Sequence, residues 1–530
     1  MTPFQSRPAE ISHPDIGVVQ CLSVGEVTQL LGVKYASLEH WFDNPKLSTY
    51  NGSGITARKH GPQAISDPQA VDNEMVAIQK TLPKPDFPGL SGTDCLTLNV
   101  SIPSGNHVAP LPVFVFIHGG GFAVGSNWWP QYDMASIVRL SAQLGQPIIG
   151  ININYRLGAP GFAASEELEQ AGYKTNRGIL DQRASIHWIK KYIGGFGGDP
   201  DRITVAGESV GGLSAVRLLY REEALISRVV VMGGAPPSVA PISKSVAESS
   251  YEALIGALGC KDLSSTERVK ALKAVSIEEV QKAQNPTLPF IPVLDGEVVP
   301  YSETFSFIQS KDYVFKSKSS EAVMVIHSPL DASIFAFMGL FSQRESIASG
   351  FSDLTRKFLS SHHSAADRLL KCYGIVPELD DQDALLRVLT FGSDIGNQAA
   401  ARVFAARFPQ DAFVMEFAEP NPWDGPFKGH STHILDISFL IQNYNASLDN
   451  AQRVASEEFA KAVIAFVHGE KPWEPFSVSG AVAKLEGGHL KHLKGAGAMT
   501  EQYREMANIG EVIGFDTLMG LWLAFVFGSS

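Results

Sequence analysis

The sequence predicts an α/β fold in which helices cover both faces of a mostly parallel sheet. Short apolar runs, bounded by Gly, Pro or Asp, alternate with helical patterns along the 530 residues. Strands that are buried on both faces of a sheet have this continuous apolar character. Because 44% of the residues are hydrophobic and 18% are charged, the chain can bury a large core. We expect one domain, residues 1–530, around a single sheet.

Six apolar runs are the strand candidates. They comprise residues 113–117, 148–153, 203–206, 229–232, 323–326 and 413–417. Between the second and third runs, residues 181–196 are predicted to form an amphipathic helix, with Ile186, Ile189 and Ile193 on one face. Residues 243–405 are richer in Ser, Lys and Glu and are expected to be mainly helical insertions over the sheet, with one strand near their middle.

The acidic balance of the chain disfavours nucleic acid and anionic membranes as partners. The formal net charge is −12, whereas both partners require a basic face. The longest apolar run, residues 518–527, spans ten residues, half of the roughly 20 that cross a bilayer. We therefore expect a terminal helix docked on the core, no membrane span and an uncharged small-molecule substrate, with the oligomeric state open.

The N-terminal sequence and the cysteines indicate in which cellular compartment the protein is expected. No cationic segment followed by an apolar segment begins the chain, as a secretory signal would. Cys21, Cys95, Cys260 and Cys372 lie far apart and include no CxxC pair, which argues against a zinc site or a disulfide framework. These features lead us to expect a cytoplasmic protein that needs no metal and no cofactor.

The clearest chemical signal is the pentapeptide GESVG at residues 207–211. The predicted strand 203–206 runs directly into it and an apolar helical pattern follows. This is the strand, turn and helix setting of the nucleophile elbow in α/β-hydrolases. Side chains at Gly207 or Gly211 would collide with the neighbouring strand or helix. Ser209 is therefore the predicted nucleophile.

A glycine loop follows the first predicted strand. Residues 118–122 read HGGGF. Consecutive glycines leave backbone N–H groups unobstructed, as an oxyanion hole requires. We expect the N–H groups of Gly120 and Gly121, together with Val210 N–H from the elbow, to hold the oxyanion.

Pattern alone leaves the base and the acid open. In this fold the acid and then the base follow the nucleophile along the chain. His430 and His433 both lie in the loop after the last predicted strand, and neither is preferred. Asp331 lies just beyond the fifth predicted strand, where a carboxylate can fix the tautomer of the base. Asp295 and Asp436 compete with it.

Together these motifs resemble the type B carboxylesterases, the group that includes cholinesterases and many fungal esterases. The resemblance extends from Gly32 to the C-terminal helix and looks closest to fungal intracellular members. It implies an α/β-hydrolase fold and a serine carboxylesterase that works through a catalytic triad and an acyl-enzyme. Its motifs are DCLTLNV (94–100), HGGGF (118–122), NYRLG (154–158), LDQR (180–183), FGGDP (196–200) and GESVGG (207–212).

The resemblance also selects the acid and the base. The family places its acid in a D-E-G-x-x-F motif, and Asp331 occupies the position of the usual Glu. The family base lies in an H-G-x-D/E motif, which the segment starting at His433 matches except for Ile434. The implied triad is Ser209, Asp331 and His433. Since Asp is one methylene shorter than Glu, either the backbone comes closer to the base or the contact is weaker.

Several departures from the family pattern are informative. The expected disulfide partner of Cys95 is missing from residues 61–91, and Ala271 stands where a partner of Cys260 would be. Both losses fit a reducing compartment. The tryptophan on which cholinesterases bind a quaternary ammonium is also missing, so a choline ester is not expected. Gly233 replaces a serine that is common in the family.

Two further assignments complete the predicted site. Glu208 either positions water or His433 from behind the nucleophile or is simply a buried paired carboxylate. Phe122, Trp128 and Phe335 are candidates for an apolar acyl or alcohol pocket, although such residues more often belong to the core. The predicted activity is hydrolysis of an uncharged, fairly apolar ester. A biosynthetic acyltransferase or lactonase with the same triad, and a non-catalytic binding protein, are the alternatives.

Overall fold

The strands of this chain form one large sheet and a short separate ribbon. The computed structural model describes residues 6–284, 288–343 and 345–528. The strands in this part are β1 (Ser6–His13), β2 (Gly17–Val24), β3 (Val27–Lys34), β4 (Ala36–Ser37), β5 (Lys46–Leu47), β6 (Ile55–Thr56), β7 (Thr97–Pro103), β8 (Leu111–Ile117), β9 (Ile149–Ile153), β10 (Gly198–Glu208), β11 (Arg228–Met232), β12 (Ala322–His327), β13 (Asp411–Phe417), β14 (Val482–Glu486) and β15 (His489–Leu493).

Helices connect these strands and cover the sheet. They are α1 (Ala70–Ile78), α2 (Ala135–Gln143), α3 (Gly158–Phe162), α4 (Glu166–Gln170), α5 (Arg177–Tyr192), α6 (Val210–Arg217), α7 (Lys244–Ala257), α8 (Ser265–Ala274), α9 (Ile277–Ala283), α10 (Phe305–Gln309), α11 (Ser333–Phe337), α12 (Ile347–Phe358), α13 (His363–Cys372), α14 (Asp381–Ser393), α15 (Ala400–Arg407), α16 (Leu435–Leu440), α17 (Asn450–Val467), α18 (Phe476–Ser479), α19 (Glu501–Ile513) and α20 (Phe515–Phe527). A π-helical turn, Asp394–Ala399, joins α14 to α15.

The strand order in the large sheet is β1-β2-β3-β7-β9-β8-β10-β11-β12-β13-β14-β15, with β6 beside β2, while β4 and β5 form the ribbon. From β9 across to β14 every neighbouring pair is parallel. Antiparallel strands flank this centre on both sides. All six predicted strands belong to the parallel centre, so the α/β class is confirmed. The antiparallel strands β1 to β3, β7 and β15 and the parallel strand β14 were not predicted.

Alternate residues of the central strands enter two different cores, as the twofold period of a strand requires. In β8, Val113, Val115 and Ile117 lie in one apolar cluster. Phe114 and Phe116 lie in the other. The first cluster also takes the buried side chains of α5, of the insertion helices α7 to α15 and of α20. The insertion between β11 and β13 thus covers one face of the sheet, while α1, α2 and α17 pack on the other.

The predicted helix begins earlier than expected. It starts at Arg177 and continues after Tyr192 as a 3₁₀ turn, Ile193–Phe196. Arg177 is fully buried and donates to the carbonyl oxygens of Pro160 and Ala163. These contacts are tertiary, so the apolar period could not indicate this first turn. The three isoleucines of the predicted face are buried.

The apolar C-terminal run forms α20. Leu518, Leu521 and Trp522 are buried in the core cluster on the insertion side of the sheet, as expected for a docked helix. Within the described ranges, no single helix is long and apolar enough to cross a bilayer, and only α19 and α20 together, across a bend of 111°, reach that length.

Candidate active site

Ser209 lies on a strained turn between β10 and α6. Its backbone has φ 56° and ψ −127°, a conformation that non-glycine residues rarely adopt. Ser209 N–H donates to Met232 O at 2.8 Å, which fixes the turn against β11. A Cβ on Gly207 would lie 2.1 Å from the carbonyl of Gly211, and one on Gly211 would lie 2.2 Å from Ile117 O. Both glycines are therefore required by the close approach of strand, turn and helix.

The glycine loop after β8 lies against this turn. A Cβ on Gly119 would come within 3.0 Å of Ser209 Cβ. Gly120 and Gly121 have φ values of 90° and 64°, which are the left-handed conformations that glycine adopts without strain. Gly120 O accepts hydrogen bonds from two residues further along the loop, which closes the turn.

The three N–H groups predicted for the oxyanion hole are available. Among the hydrogen bonds of the described residues, the N–H groups of Gly120 and Gly121 have no acceptor. Val210 is the first residue of α6, so its N–H has no partner within the helix. These N–H groups belong to the two segments, the glycine loop and the elbow, that meet at Ser209.

Asp331 and His433 meet on neighbouring loops at the carboxyl ends of β12 and β13. Asp331 Oδ1 lies 3.0 Å from His433 Nδ1, and both residues are buried. Asp331 Oδ2 accepts from Ser328 N–H at 2.7 Å. His433 N–H donates to Ser333 Oγ at 3.1 Å, so the two loops are fastened to each other. Although Asp331 is one methylene shorter than the usual Glu, it lies within hydrogen-bond distance of His433.

Two of the competing candidates, His430 and Asp295, lie elsewhere. His430 is exposed, and its backbone N–H and carbonyl bond to Phe427 and Asn421. Asp295 accepts three backbone N–H groups of the turn that follows it. Both are accounted for by loop structure.

The other ring nitrogen of His433 faces Glu208, the residue before the nucleophile. His433 Nε2 lies 3.0 Å from Glu208 Oε1. The Ser209 hydroxyl makes no hydrogen bond to any residue that the structure describes. The imidazole is thus held between two carboxyl groups, Asp331 on one side and Glu208 on the other.

Carboxyl groups outnumber cations around this imidazole. Burial raises the pKa of Glu208 well above its usual value, and nearby Asp436, Glu74 and Asp331 raise it further, although His433 opposes them. Burial and the charge of Asp331 raise the pKa of Asp436 to about 7. Burial alone would lower the pKa of His433, but Glu208 and Asp331 outweigh it and raise that pKa to about 9.

Glu74 is a part of this cluster that sequence reasoning missed. It lies on α1, where it is almost fully buried. Tyr132 OH donates to Glu74 Oε1 at 2.5 Å, and Gln131 Nε2 donates to the same oxygen at 2.9 Å. Burial raises its pKa. A charged residue among the apolar residues of a helix was the only available signal, and it does not indicate which neighbours would surround Glu74.

The three aromatic residues proposed for a substrate pocket are not brought together. Phe122 is fully buried in one core cluster and Trp128 is buried in the other, on the opposite face of the sheet. Phe335 is half-buried and packs on Trp522 of α20, with ring centroids 5.4 Å apart. The loop after β8 places Phe122 and Trp128 in different core clusters, and both side chains are buried there.

Comparison with known proteins places the chain in a family. The model of the carboxylesterase family matches residues 16–506. This chain belongs to the carboxylesterase family. The resemblance and the α/β-hydrolase fold predicted from the sequence are therefore confirmed. In the part of this carboxylesterase-family chain that the structure describes, no cluster of three or more His, Cys, Asp or Glu side chains is suited to a metal ion.

Individual relatives agree with this placement. The chain is 31% identical to Lipase 5 of Diutina rugosa over 451 residues, which is 77% of this chain and 78% of that protein. It is 30% identical to Lipase 4 of Diutina rugosa over 276 residues, so this match spans about half of that relative, 48% of its length. The crystal structure of Aspergillus niger EstA superposes with a TM-score of 0.72 at 21% identity, covering 98% of this chain and 99% of EstA, and shares its fold.

Proposed function

We propose that this carboxylesterase-family chain is a serine carboxylic-ester hydrolase that forms an acyl-enzyme with an uncharged, fairly apolar ester. One observation carries the proposal, namely that three distant segments converge. The strained Ser209, the glycine loop against it and the hydrogen-bonded pair of Asp331 and His433 meet at the carboxyl edge of the sheet. Names of relatives such as Lipase 5 of Diutina rugosa support ester chemistry.

The proposed reaction uses these groups in turn. Ser209 Oγ attacks the ester carbonyl while His433 Nε2 takes its proton, and Asp331 stabilises the imidazolium that forms. The oxyanion accepts hydrogen bonds from the N–H groups of Gly120, Gly121 and Val210. The C–O bond to the alcohol breaks, and His433 returns the proton to the leaving oxygen. Water then attacks the acyl-enzyme by the same route and releases the acid.

The contact between His433 and Glu208 adds one step. In the resting arrangement Nε2 faces Glu208 Oε1 at 3.0 Å, so it must leave that carboxyl group to accept the Ser209 proton. In the proposed step the ring rotates about its hydrogen bond to Asp331, which keeps it anchored while Nε2 changes partners.

We also propose a reducing, cytoplasmic location. All four cysteines are free thiols in the structure, and Cys21, Cys95 and Cys260 are buried. Buried unpaired thiols are typical of proteins that stay reduced.

The test is hydrolysis of p-nitrophenyl acyl esters, with fluorophosphonate labelling, by the wild type and by Ser209→Ala and His433→Ala. His430→Ala is the matched control, since it removes an exposed imidazole from the same loop. We expect the wild type to turn over and to label at Ser209, and both site variants to lose at least about 10³-fold in kcat/KM. The control should keep wild-type activity.

Two results would contradict this function. Labelling without hydrolysis, accompanied by product only when a second alcohol is added, would identify an acyltransferase. Neither labelling nor turnover would mean that Ser209 is not an activated nucleophile.

A further inference from the structure

Gly233, the first residue after β11, lies directly against the ring of His433. Its φ is 58°, in the left-handed region. A Cβ at this position would be 2.9 Å from His433 Cε1 and 3.1 Å from His433 Nδ1. It would also be 3.2 Å from Glu208 Oε1. The missing side chain therefore creates the space in which the imidazole and the Glu208 carboxyl group meet.

The backbone of Gly233 cannot move aside to relieve such a contact. Its N–H donates to Ile326 O at 3.0 Å, across to the neighbouring strand β12. Its carbonyl accepts from Asn397 Nδ2 at 3.0 Å. Asn397 belongs to the π-helical turn between α14 and α15. If a side chain were added at residue 233, it is therefore the imidazole that would have to move.

We propose that Gly233 is a positioning residue that lets His433 rest against Glu208 and so sets the exchange of its Nε2 between Glu208 and Ser209. This inference rests on the proposed function and extends it. According to this proposal, the resting orientation of His433 depends on Gly233, a residue that has no side chain.

The groups around His433 give this position a measurable consequence. The carboxyl groups of Glu208 in β10, Asp331 after β12 and Asp436 in α16 all raise the pKa of His433, and Glu74 in α1 raises the pKa of Glu208. Contact with Glu208 stabilises the imidazolium, which cannot accept the proton of Ser209. Activity should therefore rise on the alkaline side of the ordinary histidine range, because the imidazolium of His433 must first lose its proton.

The experiment measures kcat/KM for a p-nitrophenyl ester from pH 5 to 10 in the wild type and in Gly233→Ala. The matched control is Gly480→Ala, because Gly480 has φ 66° and a Cβ there would meet no atom within 4 Å. We expect Gly233→Ala to move the acid limb down by about one pH unit, which is roughly a tenfold gain at pH 6 relative to pH 9. The control should carry the same backbone strain and keep the wild-type profile.

The outcomes separate this role from a structural one. A Gly233→Ala profile that superposes on the wild-type profile, at whatever kcat, refutes the positioning role. If that variant does not fold, Glu208→Gln removes the charge at nearly constant shape and must move the limb in the same direction; an unmoved limb again refutes the proposal. Fluorophosphonate labelling at Ser209 of the wild type tests the proposed function independently, so labelling with an unmoved limb rejects Gly233 alone.

Discussion

Two buried ionic clusters in this protein differ in how well their charges are matched. Arg156 and Asp181 form a bidentate pair, with Nε to Oδ2 at 2.8 Å and Nη2 to Oδ1 at 2.7 Å. Arg156 Nη1 also donates to the carbonyl oxygens of Trp41 and Asp43. Every polar group in this cluster has a partner, and the cluster lies in the NYRLG and LDQR motifs.

The cluster at His433 is unmatched. One imidazole faces several carboxyl groups. Among the described residues, Asp436 Oδ2 is buried without a hydrogen-bond partner, and Glu208 Oε1 lies 3.0 Å from His433 Nε2 without forming a hydrogen bond. Buried charges cost stability unless they are paired and hydrogen-bonded. The first cluster therefore stabilises the fold, whereas the second gathers incompletely paired carboxyl groups around His433 at a cost in stability.

The largest expected effect separates activity from stability. We predict that Ser209→Ala lowers kcat/KM for a p-nitrophenyl ester by at least about 10³-fold. The free energy of unfolding should not change, because the Ser209 hydroxyl has no partner in the described part of the chain and Ala keeps the same backbone strain. Urea titration alongside the kinetics checks both. A clear fall in the free energy of unfolding would show that Ser209 stabilises the fold and would contradict this prediction.

Breaking the matched cluster should have the opposite result. Arg156→Met leaves Asp181 buried without its cation, and we predict a loss of about 3–5 kcal/mol in the free energy of unfolding. The activity of each folded molecule, counted by fluorophosphonate labelling, should stay close to that of the wild type. The double variant Arg156→Met/Asp181→Leu serves as the control and should recover most of the stability. No recovery would mean that charge pairing is not what Arg156 contributes.

The unmatched cluster should make stability depend on pH. The pKa of Asp436 is about 7 in the folded protein, against a usual value of 3.8. Stability should therefore fall as pH rises from about 4 to about 7, because the unfolded chain releases this proton more readily than the folded protein. Asp436→Asn should therefore raise the free energy of unfolding by about 1–2 kcal/mol at pH 8 and by much less at pH 5. Exposed Asp86→Asn is the control and should change neither value. Equal gains at both pH values would contradict the predicted titration.

The smallest expected effect is that of a reducing agent. Since the four cysteines are free, dithiothreitol should leave the thermal midpoint unchanged. A native disulfide would contribute about 2–5 kcal/mol, so a clear fall in the midpoint would reveal one. Thiol titration under denaturing conditions, with four thiols expected, is the independent check.

Features that depend on local pattern could be predicted from the amino-acid sequence. Continuous apolar runs indicated the parallel strands, and the glycines around Ser209 indicated a turn that only glycine permits. The oxyanion glycines followed from the same reasoning, since an unobstructed N–H is a property of the loop itself. The choice of His433 over His430 needed the family resemblance, because both histidines follow the same strand and only an alignment distinguishes them.

The contacts between these elements became visible only in the folded protein. The contact of His433 with Glu208, the closeness of Gly233 to the ring and the arrival of Asn397 from the insertion join residues that are far apart in the chain. The division of Phe122 and Trp128 between opposite faces is of the same kind. Local periodicity and residue type carry no information about such meetings, because burial, distance and the resulting proton affinities arise only when separate segments pack together.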